Sequence, residues 1–92
     1  MNTTERHDLT LIVAERHCRK CDKAREILSR MRRKFPELSI RELVAGDPAT
    51  RNLGAILPPA LLVDGQLLCM GRPPSERRLE IILRASHTSG SQ

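Results

Sequence analysis

Apolar residues are spaced along this chain in several distinct ways, and each spacing predicts a different element. The run Leu9-Thr10-Leu11-Ile12-Val13-Ala14 is almost unbroken, which suits a strand covered on both faces, and predicts a first strand over about residues 9–15. Ala24, Ile27, Leu28, Met31 and Phe35 then recur at three- and four-residue steps, one apolar stripe of a helix. That helix runs to about Lys34, because Pro36 disfavours the α region in the residue before it. Ser39-Ile40-Arg41-Glu42-Leu43-Val44 alternates and predicts a half-exposed strand nearer a sheet edge.

Turn chemistry punctuates the second half. Asp47 as N-cap and Pro48 at the first helical position predict a short helix over about residues 49–53, ended near Gly54. Ala60-Leu61-Leu62-Val63 and Gln66-Leu67-Leu68-Cys69-Met70 flank Asp64-Gly65, a strong signal for a tight antiparallel hairpin. Gly71-Arg72-Pro73-Pro74 breaks the last strand. Ser75 caps a final helix whose inner face is Leu79, Ile82, Leu83 and Ser86. The order βαβαββα implies an α/β fold, a four-stranded mixed sheet with flanking helices. A lead-in over residues 1–8, a domain over 9–85 and a disordered tail over 86–92 complete the expected layout.

Ninety-two residues suit one compact domain. Phe35 is the only aromatic residue, so the core must come from aliphatic side chains and methionine. The net charge of +5 is spread among acids, and no aromatic platform exists for single-stranded nucleic acid, so nucleic acid is not the expected partner. The amino end is charged, with no apolar signal-peptide core, and no run approaches membrane-spanning length. A cytoplasmic protein is expected, and three cysteines in that compartment point to reactive or metal-binding thiols rather than a structural disulfide framework.

His17-Cys18-Arg19-Lys20-Cys21 stands where the first strand hands over to the first helix. Cys18 falls at the helix mouth, where free N–H groups and the positive end of the dipole favour thiolate. Cys21 lies on the apolar stripe, half-buried behind it. An exposed thiolate with a shielded second thiol in reach is the arrangement dithiol–disulfide exchange needs. Arg19 and Lys20 within the ring, with Arg16 and Lys23 nearby, add charge stabilisation, and place Cys18 below the free value of about 8.5. The corresponding potential falls between about −270 and −180 mV. His17 either transfers protons to the sulfurs or modulates them as an exposed neighbour. Cys69 reads as a small near-core residue or as a third redox thiol. Arg30, Arg32, Arg33 and Lys34 form a solvated face or a docking site for an acidic partner. A metal reading would use Cys18, Cys21, His17 and perhaps Cys69, although structural zinc usually wants a second cysteine pair.

The CxxC, the prolines before the third strand in Leu57-Pro58-Pro59-Ala60-Leu61-Leu62-Val63-Asp64-Gly65, and Met70-Gly71-Arg72-Pro73-Pro74-Ser75 together resemble the small thioredoxin-like, glutaredoxin-sized redox-active disulfide proteins. The resemblance covers residues 9–83. It implies a thioredoxin-like fold, with Cys18 as nucleophile, Cys21 as resolving thiol, and a cis-proline against the disulfide. That proline is Pro59 by its distance from Asp64-Gly65, or else the cis bond falls at Leu57-Pro58. The chain departs from the pattern in four places. Pro58 precedes the cis-proline and has no N–H for a substrate. Trp-Cys-Gly-Pro-Cys is absent, Leu11 and Ile12 stand where thioredoxins bury an acid, and glutaredoxin's Thr-Val-Pro is missing.

The expectation is a thiol–disulfide oxidoreductase acting on protein or small-molecule disulfides, with an unidentified reductase or glutathione as its redox partner. No cofactor is expected. The alternatives are a CxxC metal-binding protein and a thioredoxin-like module that binds without turnover.

Overall fold

The computed structural model describes residues 7–89. In chain order they form β1 (Asp8–Val13), α1 (Arg19–Lys34), β2 (Ser39–Val44), a 3-10 turn (Pro48–Leu53), β3 (Ala60–Val63), β4 (Gln66–Met70) and α2 (Glu76–Ser89). The four strands make one mixed sheet in the order β2-β1-β3-β4. β1 runs parallel to β2 and antiparallel to β3, and β3 is antiparallel to β4. The continuous apolar strand is thus central and the alternating strand is an edge, as their patterns predict.

Alternation along β1 sends Leu9, Leu11 and Val13 into the main core, where they meet Cys21, Ala24, Ile27, Leu28 and Met31 of α1, Leu61 and Val63 of β3, and Leu79 and Leu83 of α2. Ile12 faces the other way with Ala60 and Leu62, under Leu43, Ala45 and Ile56. Both helices therefore serve one face, and the long connection after β2 covers the other. A bulge between Leu61 and Leu62 shifts the pairing of β4 by one residue, and both Leu68 and Cys69 pack against the main core.

Several boundaries differ from expectation, each for a tertiary reason. β1 begins at Asp8 and ends at Val13, not at residues 9 and 15. His7, expected to belong to a frayed lead-in, is buried, and its Nδ1 lies 2.8 Å from Asp64 Oδ2 in the hairpin turn. Residues 1–6 of that lead-in lie outside the described residues. The short helix is 3-10 in type, begun by the Thr50 N–H donating to the Asp47 carbonyl over 2.8 Å. Asp47 caps it through the Ala49 N–H, also at 2.8 Å. The last helix continues to Ser89, into the tail expected over residues 86–92, of which residues 90–92 lie outside the described residues. The hairpin turn matches its signal, since Asp64 (φ 51°) and Gly65 (φ 85°) both adopt the left-handed region that such a turn demands.

Candidate redox site at the strand-to-helix junction

Topology gathers the site from three separated stretches. The carboxyl ends of β1, β2 and β4 and the amino end of β3 lie at one end of the sheet, because Val13 pairs with Val44, Ile12 with Ala60, and Ala60 with Met70. The loops leaving that end are 14–18, 45–59 and 71–75. Backbone hydrogen bonds tie them down: the Ala45 N–H donates to Val13 O at 2.8 Å, and the Gly71 N–H donates to both Leu57 O and Pro59 O at 2.9 Å. Gly71 has a φ of 81°, which lets the chain turn out of β4 while keeping that forked bond.

Cys18 is the N-cap of α1, extended at φ −150° and ψ 110°. Its Sγ accepts the Cys21 N–H at 3.1 Å, and its carbonyl accepts the Asp22 N–H at 3.0 Å. The sulfur therefore occupies the place usually taken by a serine or aspartate oxygen, at the unsatisfied donors and positive end of a sixteen-residue helix. Cys18 and Cys21 are joined as a disulfide with their Cα atoms 5.2 Å apart, within the usual range for such a bond. Cys18 is half-buried, whereas Cys21 retains only 1% of its surface and accepts the Ala14 N–H at 3.5 Å. The expected asymmetry is present but shifted inward, because the α1 stripe docks Cys21 fully against β1.

His17, Arg19 and Lys20 are exposed around the cysteines. The peptide bond between Pro58 and Pro59 is cis; Pro59 is wholly buried and Pro58 half-buried. Among the described residues, no three His, Cys, Asp or Glu side chains stand close enough to share a metal ion. His17 and Cys69 are not gathered with the CxxC into such a group. Cys69 lies opposite Leu61 on the helix-facing side, half-buried. Burial pushes its thiol up, against the opposite pull of the Leu61 N–H, Arg72 and Arg78.

Three residues at this end have no functional role marked by the sequence pattern. Leu57 (64% exposed) and Met70 (39%) are apolar side chains left in water, brought together by the Gly71 bridge, and Arg72 follows directly. The signal available was a glycine at the end of the last strand; only the strand order reveals that it faces the prolines.

No protein-family model and no curated protein sequence matches the chain. Solved structures do. Thioredoxin-2 of the malaria parasite, a component of its protein secretion machinery, superimposes with a TM-score of 0.69 at 12% identity over 91% of this chain and 86% of its own. Mitochondrial thioredoxin 3 of Saccharomyces cerevisiae in its oxidised form gives 0.65 at 14% identity over 86% and 77%. Oxidised thioredoxin from Plasmodium falciparum gives 0.62 at 11% identity over 86% and 79%. The class follows from the architecture: this is a thioredoxin-fold protein. It carries a paired CxxC at the amino end of its first helix.

Among the described residues, no helix is long and apolar enough to cross a membrane.

Proposed function

We propose that the chain is a thiol–disulfide oxidoreductase. The observation that carries this reading is the unequal placement of two bonded sulfurs, one half-exposed at a helix cap and the other buried beneath it. In the reduced protein, the Cys18 thiolate attacks one sulfur of a substrate disulfide. A Cys18–substrate bond forms, and the substrate's other sulfur leaves as thiolate. Cys21, deprotonated, then attacks Cys18 Sγ, closing the Cys18–Cys21 bond and releasing the second substrate thiolate. Two electrons and two protons pass in total from the protein dithiol to the substrate, and the reverse sequence oxidises a substrate dithiol. The Cys21 N–H bond to Cys18 Sγ and the helix end favour the attacking thiolate, with Arg19 and Lys20 adding charge and His17 modulating it. Pro58 and Pro59 shape the substrate contact, with Pro58 offering a carbonyl and no N–H. Protein disulfides in a reducing cytoplasm, with glutathione or a reductase as donor, fit this chemistry.

Equilibration against graded glutathione or dithiothreitol buffers, quenched by alkylation and read by intact mass, tests the reading. The expected result is one two-electron step mapped to Cys18 and Cys21. Cys18→Ser abolishes exchange, and Cys21→Ser accumulates a mixed disulfide on Cys18. A pair that stays reduced across the whole series overturns the proposal.

A further inference from the structure

We propose that the disulfide end of this molecule selects acidic polypeptides, engaging substrates whose exchanging disulfide is flanked by Asp or Glu. The inference rests on the oxidoreductase reading and adds the class of substrate.

The first observation is an imbalance of charge. Arg16, Arg19, Lys20, Lys23, Arg51 and Arg72 all lie in the loops that leave this end of the sheet or in the first five residues of α1, and all are exposed. None of the six makes an ion pair among the described residues. The ion pairs among the described residues lie elsewhere: Arg25 with Asp22 and Glu42, Arg30 with Glu76, and Lys34 and Arg84 with Glu80, while His7 is hydrogen-bonded to Asp64 at the opposite end. The same segments and the next turn of α1 carry fewer carboxylates: Glu15, Asp22, which pairs with Arg25, Glu26, and Asp47, which also accepts the Ala49 N–H. The positive end of α1 points the same way.

The second observation is apolar. Of the six large hydrophobic residues exposed among the described residues, four lie on the strand ends and loops of this end: Val44, Leu53, Leu57 and Met70. Leu57 and Met70 flank the bridge that the Gly71 N–H makes to Leu57 O and Pro59 O. Exposed apolar side chains on the same loops as unpaired cations are the complement of an extended segment carrying one apolar side chain among carboxylates. Such charge complementarity acts mainly on the rate of encounter and weakens as salt shortens the Debye length. Phosphate-rich nucleic acid would share the charge but not the apolar centre, and the described face offers no aromatic ring on which bases could stack.

The test compares the reduced protein's rates with three synthetic peptide disulfides, identical except for flanking Glu, Gln or Lys, at low and high salt. Uncharged hydroxyethyl disulfide reports the CxxC chemistry by itself. The acidic peptide is expected to react about tenfold faster than the basic one at low salt, with the ratio approaching one near 1 M salt. An Arg51→Glu/Arg72→Glu variant, checked for folding by far-UV circular dichroism, is expected to lose most of that ratio. Equal rates for the acidic and basic peptides, with hydroxyethyl disulfide still turned over, overturn this inference and leave the oxidoreductase standing. No reaction with hydroxyethyl disulfide overturns the oxidoreductase itself. A single-stranded oligonucleotide that blocks exchange at lower concentration than the acidic peptide's own half-saturation would make the face a nucleic-acid surface and overturn the inference.

Discussion

Asp64 holds a backbone conformation that few side chains adopt, and its carboxylate is used twice. Oδ1 accepts the Asp8 N–H at 2.8 Å, and Oδ2 meets His7 Nδ1 at 2.8 Å. Burial pushes this carboxyl up, but the Asp8 N–H and His7 together outweigh it, and its pKa lies below the ordinary carboxylate value. A depressed folded pKa gives stability that is present above the ordinary value and is lost as pH falls through the folded one. Asp64→Asn keeps a residue tolerant of positive φ while removing the charge. With nearly half the side chain in water, the expected cost at pH 7 is at most about 1 kcal/mol. Urea unfolding at pH 7 and in acid checks it: the difference from the parent should vanish at the low-pH end. A difference that persists unchanged there would trace the effect to turn geometry instead. The sequence marks Asp64 only as a turn residue. Its second role depends on a histidine 57 positions away, which no local pattern reports.

At the scale of elements, α1 joins the site to the core. The same stripe that buries Cys21 also buries Ala24, Ile27, Leu28 and Met31 against β1 and α2. Met31→Ala, at a position with no exposed surface, should cost about 2–5 kcal/mol, read as a lower urea midpoint with an unchanged slope. The ion pairs along the helix flanks, Arg30 with Glu76 and Lys34 with Glu80, are solvent-exposed and should contribute far less. This helix was legible because its apolar period, its cysteine cap and the Pro36 stop all agree. The hairpin was legible because Asp-Gly fits few other turns. The 3-10 geometry of Pro48–Leu53 was not, since capping signals mark where a helix starts and not how tightly it winds. The ends of β1 and α2 were missed by a few residues because long-range pairing and helix docking, rather than composition, decide where a regular element stops.

For the whole molecule, strand order turns sequence-distant loops into neighbours. The CxxC and the prolines were readable one at a time; that Leu57, Met70 and Arg72 share their end of the sheet follows only from β3 lying between β1 and β4. The same order separates the two ends by character. One carries the paired sulfurs with exposed apolar and unpaired cationic side chains, and the other is closed by the His7–Asp64 bond. The His7–Asp64 bond and the paired sulfurs thus lie at opposite poles, so a substitution at Asp64 should change unfolding without changing the reactivity of the Cys18–Cys21 pair.

The nearly aromatic-free composition has an optical consequence. Trp and Tyr are absent, and the single phenylalanine, Phe35, lies at the far end of α1 with the Arg84 guanidinium 5.4 Å from its ring centre. The Cys18–Cys21 bond is then the principal near-ultraviolet chromophore of the protein, held in a fixed chiral setting at the helix cap. Redox state becomes directly visible: the near-UV dichroism band should collapse on reduction while the helical far-UV signal stays, allowing the titration to be followed without a label. A band that survives complete reduction would belong to Phe35.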